Sequence, residues 1–140
     1  MKQDSPQTES LATFSATVIK GQQRGRLFGF PTANFLPPSE LTLENGVYLV
    51  KLTGFSKHTG QLPGVANLGV RPTVDGTKRL FEVHLFDFSE DIYGETLHII
   101  ATHHLRPEKK FATIEDLKAQ IIKDVQRAKQ LINFSDGLSD

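Results

Sequence analysis

LFEVHLFDF, residues 80 to 88, constrains the fold of this chain more than any other stretch. Side chains alternate across a strand, so Leu80, Glu82, His84, Phe86 and Phe88 fall on one face and Phe81, Val83, Leu85 and Asp87 on the other. Both faces are mostly apolar, which fits a central or barrel strand covered on two sides. Further β-type segments surround it: FSATVIK (14–20), VYLVKLTG (47–54), a short GVANLGV (64–70) framed by glycines, and TLHIIATHHL (96–105). TLHIIATHHL is joined to LFEVHLFDF through SEDIYGE, whose Tyr93-Gly94 pair reads as a turn. PPSELTLEN (37–45) and RPTVDGTKR (71–79) read as loops.

A single helical pattern closes the chain. Ile114, Leu117, Ile121, Val125, Ala128 and Ile132 recur at steps of three or four, Thr113 can cap, and Glu115 and Asp116 complement the positive end of the macrodipole. The helix is expected from about 114 to 132. Several strands followed by one amphipathic helix predict a mainly β fold, a closed or nearly closed antiparallel barrel with the helix packed across it, with a small β-sandwich as the alternative. The 140 residues suit one domain, expected over 14–133 between a flexible leader (1–13) and a flexible tail (134–140).

Composition narrows the function classes. Sixteen basic and sixteen acidic residues give zero formal net charge, so no global field points to nucleic acid or an anionic membrane, and any anion site must be local. There are no cysteines, which removes disulfides and thiolate metal sites. No apolar run is long enough to span a bilayer, and MKQDSPQTESLA lacks the regions of a signal peptide. A soluble, cytoplasmic, monomeric protein is expected. His103 and His104 are adjacent and point to opposite strand faces, and His58 falls in a loop, which argues against a histidine metal site.

GQQRGRLFGFPTAN, residues 21 to 34, carries the chemistry. Gly21, Gly25 and Gly29 allow close backbone approach, Arg24 and Arg26 bring charge, and Thr32 and Asn34 offer oxygens for phosphate or a magnesium ion. Pro31 makes the stretch a bent, semi-rigid loop. The spacing is neither a P-loop nor a Rossmann fingerprint, so a polyphosphate site and a plain set of turns both remain open. Glu82, an acid in an apolar strand, is either a charge on an exposed face or a general base near a barrel mouth. LRPEKKF (105–111) is either a strand-to-helix connector or a lip holding a flat ligand between Phe111, the helix and Arg106 or Glu108.

Taken in order, GQQRGRLFGFPTAN, NGVY, GVANLGVRPT, FEVHLFDF, DIYGE, LRPEKKF and the helix with LKAQIIKD resemble the riboflavin kinases, including the kinase module of bacterial bifunctional riboflavin kinase/FAD synthetases, over about residues 14 to 132. The resemblance implies transfer of the γ-phosphoryl group of ATP to the 5′-hydroxyl of riboflavin, giving FMN and ADP, on a six-stranded Greek-key barrel with a C-terminal helix. By it, Thr32 would help hold magnesium and the ATP phosphates, Asn34 would contact phosphate near the transferred group, and Glu82 would be the catalytic base. The loop around Gly21, Arg24 and Gly25 would close over the nucleotide, and Tyr93 would lie near its adenine. Arg106, Glu108, Phe111, Leu117 and Ile121 would border the isoalloxazine.

The bifunctional members carry an upstream adenylyltransferase domain, and only about twelve residues precede the barrel here, so conversion of FMN to FAD is not expected of this chain. Two rivals stand beside the kinase: a flavin- or nucleotide-binding barrel without catalysis, and a small-barrel flavoprotein oxidoreductase. Thr32, Asn34 and Glu82 argue against the first. The second would copurify with yellow FMN.

Overall fold

A computed structural model describes residues 10–20, 31–88 and 90–139, with side chains as far as 133. Six strands, β1 (Ala12–Ile19), β2 (Ala33–Phe35), β3 (Gly46–Thr53), β4 (Leu62–Thr73), β5 (Gly76–Leu85) and β6 (Thr96–Pro107), precede one described helix, α1 (Ile114–Ser139). All pairings are antiparallel, and the strands close into a barrel in the order β1-β2-β5-β4-β3-β6. The consecutive strands β3, β4 and β5 form a meander, and β6 returns through a longer connection to lie beside β3, which makes a Greek key. Closure decides for the barrel over the sandwich.

Alternation builds two apolar layers. Inward side chains, among them Phe14, Phe35, Tyr48, Val50, Leu52, Leu68, Phe81, Val83, Leu97 and Ile99, fill the barrel. Val47, Leu49, Phe86 and Leu105 point outward and are covered by Ala128 of α1, with Val65, Val125, Leu131 and Ile132 at the margin. The helix therefore lies on β3, β4 and β6. The Thr113 hydroxyl accepts from the Asp116 N–H at 3.0 Å, the expected N-cap.

Several elements differ from the sequence expectations. β1 begins two residues before position 14, and α1 runs on to Ser139 instead of ending near 132. Residues 33–35 lie in a strand, because β1 and β5 offer that short segment partners on both edges. The stretch 71–79, read as loop, is mostly strand: β4 and β5 continue past the barrel as a hairpin turning at Val74-Asp75, with Arg71 opposite Lys78. Solvent on both sides of that extension removes the apolar alternation that marks a strand. Phe88 leaves the face of Glu82 and packs against the inner cluster, since Asp87 adopts φ 54° and ends β5 at Leu85.

Candidate active site

Thr32, Asn34 and Tyr93 line one cleft of about 340 Å³ at the barrel end where β1 finishes and β2 starts, with Phe88 and residues 90–92 also on its wall. Pro31 also lines it, and the Pro31 carbonyl accepts a hydrogen bond from His84 Nδ1 at 3.0 Å. A carbonyl can only accept, so Nδ1 carries the proton. Strand β5 thereby fixes the loop that carries Thr32. On the far side, the Tyr93 N–H donates to Asp91 Oδ1 at 3.0 Å, and Lys20 Nζ stands 5.4 Å from the Tyr93 ring centre. Gly94 takes φ 85°, as the expected turn requires.

Asn34 is 4% exposed and joins this cleft to the outer wall. In the barrel register it lies opposite Glu82, Glu82 opposite Asn67, Asn67 opposite Val47, and Val47 opposite Arg106. Directly paired residues share a face, with Cβ atoms about 4.5–5.5 Å apart. One row thus runs around the barrel from the cleft to the underside of α1, joining residues far apart in sequence.

Glu82 faces out of the barrel with about a quarter of its side chain exposed, and it accepts a 2.7 Å hydrogen bond from Arg71 Nη2. Arg71 Nη1 donates to Glu108 Oε2 at 2.8 Å. Burial opposes the guanidinium charge, but the hydrogen bond to Glu108 and the charge of Glu82 outweigh it and raise the pKa above the ordinary arginine value. Arg71 is a fixed cation between two carboxylates. Asn67 Oδ1, beside Glu82, is buried without a partner.

The 105–111 lip is tied to the helix. Arg106 Nε and Nη2 grip the carboxylate of Asp124, itself 5% exposed, at 2.8–3.1 Å. Gln120 Nε2 donates to the same carboxylate at 2.9 Å. The Phe111 ring lies 5.8 Å from the Arg106 guanidinium and 5.5 Å from Lys109 Nζ. Leu117 and Ile121 are half-buried and outside both apolar clusters, and nearby Ile114 is exposed. This half of α1 keeps an apolar surface beside the lip.

Of the residues singled out in the sequence, Thr32, Asn34 and Tyr93 meet in the cleft, Glu82 stands next to Asn34, and Arg106, Glu108 and Phe111 follow along the lip. Gly21, Arg24 and Gly25 lie outside the described residues. Sequence reasoning missed Arg71, Asn67 and Asp124. A hairpin turn at VDG would have exposed the first two, because it puts positions 67, 69 and 71 on the face of Glu82.

The family model described as Flavokinase: Riboflavin kinase matches residues 9–132. The chain is 46% identical over 117 residues to the bifunctional riboflavin kinase/FMN adenylyltransferase of Haemophilus influenzae, covering 83% of this chain and 37% of that protein. It thus spans well under half the length of that relative. A solved Streptococcus pneumoniae structure described as a macrolide-efflux protein is similar at TM-score 0.73 and 31% identity, over 84% of this chain and 38% of that one. The riboflavin kinase of Trypanosoma brucei shares the fold at TM-score 0.64 and 22% identity, over 86% of this chain and 79% of that one.

Proposed function

Since the chain belongs to the riboflavin kinase family, we propose that it transfers the γ-phosphoryl group of ATP to the ribityl 5′-hydroxyl of riboflavin, releasing FMN and ADP. The observation that carries this reading is the register pair Asn34–Glu82, in which one partner lines the cleft and the other stands on the adjoining wall. Phosphoryl transfer asks the protein for alignment, charge neutralisation and a base, not for a covalent nucleophile. In the proposed step the Glu82 carboxylate takes the hydroxyl proton as that oxygen bonds to the γ-phosphorus. The bond from the γ-phosphorus to the bridging oxygen breaks, and its electron pair leaves with ADP.

Thr32 and Asn34 bind the phosphates in this reading, Tyr93 borders the adenine, and Gly21, Arg24 and Gly25 close over the nucleotide. Arg106, Glu108, Phe111, Leu117 and Ile121 border the isoalloxazine. The donor set fits a magnesium ion: the Thr32 hydroxyl and the Asn34 side-chain oxygen are hard donors, and magnesium takes much of its coordination from substrate phosphates and water. Among the described residues no group of three or more acidic or histidine side chains could hold a metal alone, in keeping with an ion that arrives with the nucleotide. Bound there, it would neutralise phosphate charge. The reading has the chain acting as a cytoplasmic monomer, without nucleic acid or membrane, and not carrying FMN on to FAD. Among the described residues no helix is long and apolar enough to cross a membrane.

Chromatography of flavins tests this reading, with riboflavin, ATP and magnesium in one tube and FMN in place of riboflavin in a second. FMN in the first tube and no FAD in the second is the expected result. Tight flavin binding with no FMN formed would replace the kinase with a binding module.

A further inference from the structure

Arg71 is a cation on the outer wall to which the reaction above gives no role. Near the end of β4, it spans two carboxylates carried by different parts of the fold: Glu82 on β5 at 2.7 Å and Glu108, just beyond β6, at 2.8 Å. A third bond, from Nη1 to the Val70 carbonyl at 3.0 Å, holds the guanidinium to its own strand. The seat for Glu108 is built into β4. A Cβ at Gly69 would fall on the Glu108 carboxylate, so that carboxylate lies against the strand only because position 69 has no side chain.

We propose that Arg71 is a positioning residue for Glu82, with Glu108 as its anchor. This rests on the reading of Glu82 as the base. An unrestrained glutamate on a half-exposed strand face turns among several rotamers, and a base acts only within hydrogen-bond reach of the proton it takes. Arg71 engages Oε1 and directs Oε2 toward the reacting hydroxyl. The planar fork of arginine can hold Oε1 and Glu108 together, which the single ammonium of lysine cannot do in the same geometry. Because Glu108 lies on the connection assigned to the flavin, one guanidinium links the flavin side of the site to the base.

Steady-state kinetics of Arg71→Ala, Arg71→Lys, Glu82→Gln and the double variant Arg71→Ala/Glu82→Gln test this, with thermal melting to verify folding. Arg71→Ala is expected to lower kcat by about 10- to 100-fold, the scale of a small misplacement of a reacting group, with KM for riboflavin and ATP little changed. Guanidinium at low, non-denaturing concentration should restore part of that loss, and Arg71→Lys should fall between wild type and Arg71→Ala. Adding Arg71→Ala to Glu82→Gln should cost nothing further. Equal losses with and without Glu82, a change confined to KM, or full kcat in Arg71→Ala would each overturn the proposal. If Arg71→Ala does not fold, Arg71→Lys decides: a kcat loss with unchanged KM supports the role, and full activity overturns it. Wild-type turnover in Glu82→Gln would instead remove the base itself, a failure of the underlying reading that these kinetics separate from a failure at Arg71.

Discussion

On strand β5 the side chains of Phe81, Val83 and Leu85 point into the barrel and are at most 4% exposed, while Glu82 and His84, interleaved with them, stand on the outer wall. The inner set has apolar neighbours from every strand of the barrel and no polar partner to satisfy. The outer set is held by directional contacts, among them Arg71 on Glu82 and the Pro31 carbonyl on His84. Apolar packing is non-directional and tolerates many sequences, whereas each outer contact depends on one geometry. In the proposed mechanism, stability and chemistry are therefore separated by a single residue step.

The largest expected effect lies on the inner face. Phe81 is fully buried and meets Phe14 edge-on, with ring centres 5.4 Å apart. Phe81→Ala should cost about 3–5 kcal/mol of stability in a denaturant titration. A cost below about 1 kcal/mol would mean that the interior is not the rigid part of the molecule. Asp124→Ala sharpens the comparison, because it lies on the outer side but beneath the helix. Leaving the Arg106 guanidinium without its buried partner should cost about 3 kcal/mol, and a neutral result would show that α1 is held by its apolar contacts alone.

Glu82→Gln should do the opposite of Phe81→Ala. Turnover should fall about a hundredfold, equivalent to about 2.7 kcal/mol in activation free energy, with flavin binding and melting temperature nearly unchanged. Near-normal turnover would take Glu82 out of the mechanism. Thr32→Ala, in the cleft, should lose roughly tenfold in rate together with poorer ATP binding and a weaker response to magnesium. An unchanged magnesium titration would contradict its assigned role.

The smallest effect concerns Tyr48, an inward residue with a polar end. Its hydroxyl donates to the Glu44 carbonyl at 2.6 Å, and burial, then the charge of Glu44, raises its pKa despite the opposing charge of Arg79. A raised pKa means that the folded state holds the proton more tightly than the unfolded one. This contribution is complete below the unfolded value of about 10 and is lost as pH climbs through the higher folded value. Tyr48→Phe should cost about 1 kcal/mol at neutral pH and flatten the alkaline decline. Denaturant midpoints of both proteins at neutral and strongly alkaline pH provide the measurement, and an unchanged decline in Tyr48→Phe would assign it elsewhere.

Much of this was legible in residues 80–88 and 113–132, where alternation and helical periodicity persist long enough to declare themselves. Two apolar faces on one strand already required a covered, doubly paired position, and an acid in the middle of that strand already marked Glu82. β2 was not legible, since three residues are too few for any period and became a strand only between two partners. β6 was legible as a strand as far as 105, but the facing of its second half was not. Register shifts between the pairs of Val47 and Tyr48, and of Leu49 and Val50, mark irregularities that break simple alternation. They bring both Leu105 and Arg106 toward the helix.

The sequence by itself determined the kinds of element, the position of the single described helix and the residue types able to handle phosphate. It could do so because propensity, capping and periodicity act over a few neighbouring residues. Only the tertiary structure decided that Asn34, Glu82, Asn67 and Arg106 share one row and that Arg71 joins Glu82 to Glu108. Those relations depend on strand register and on which stretch of wall the helix covers. Closure of the barrel fixes the register, and closure is a property of six strands together.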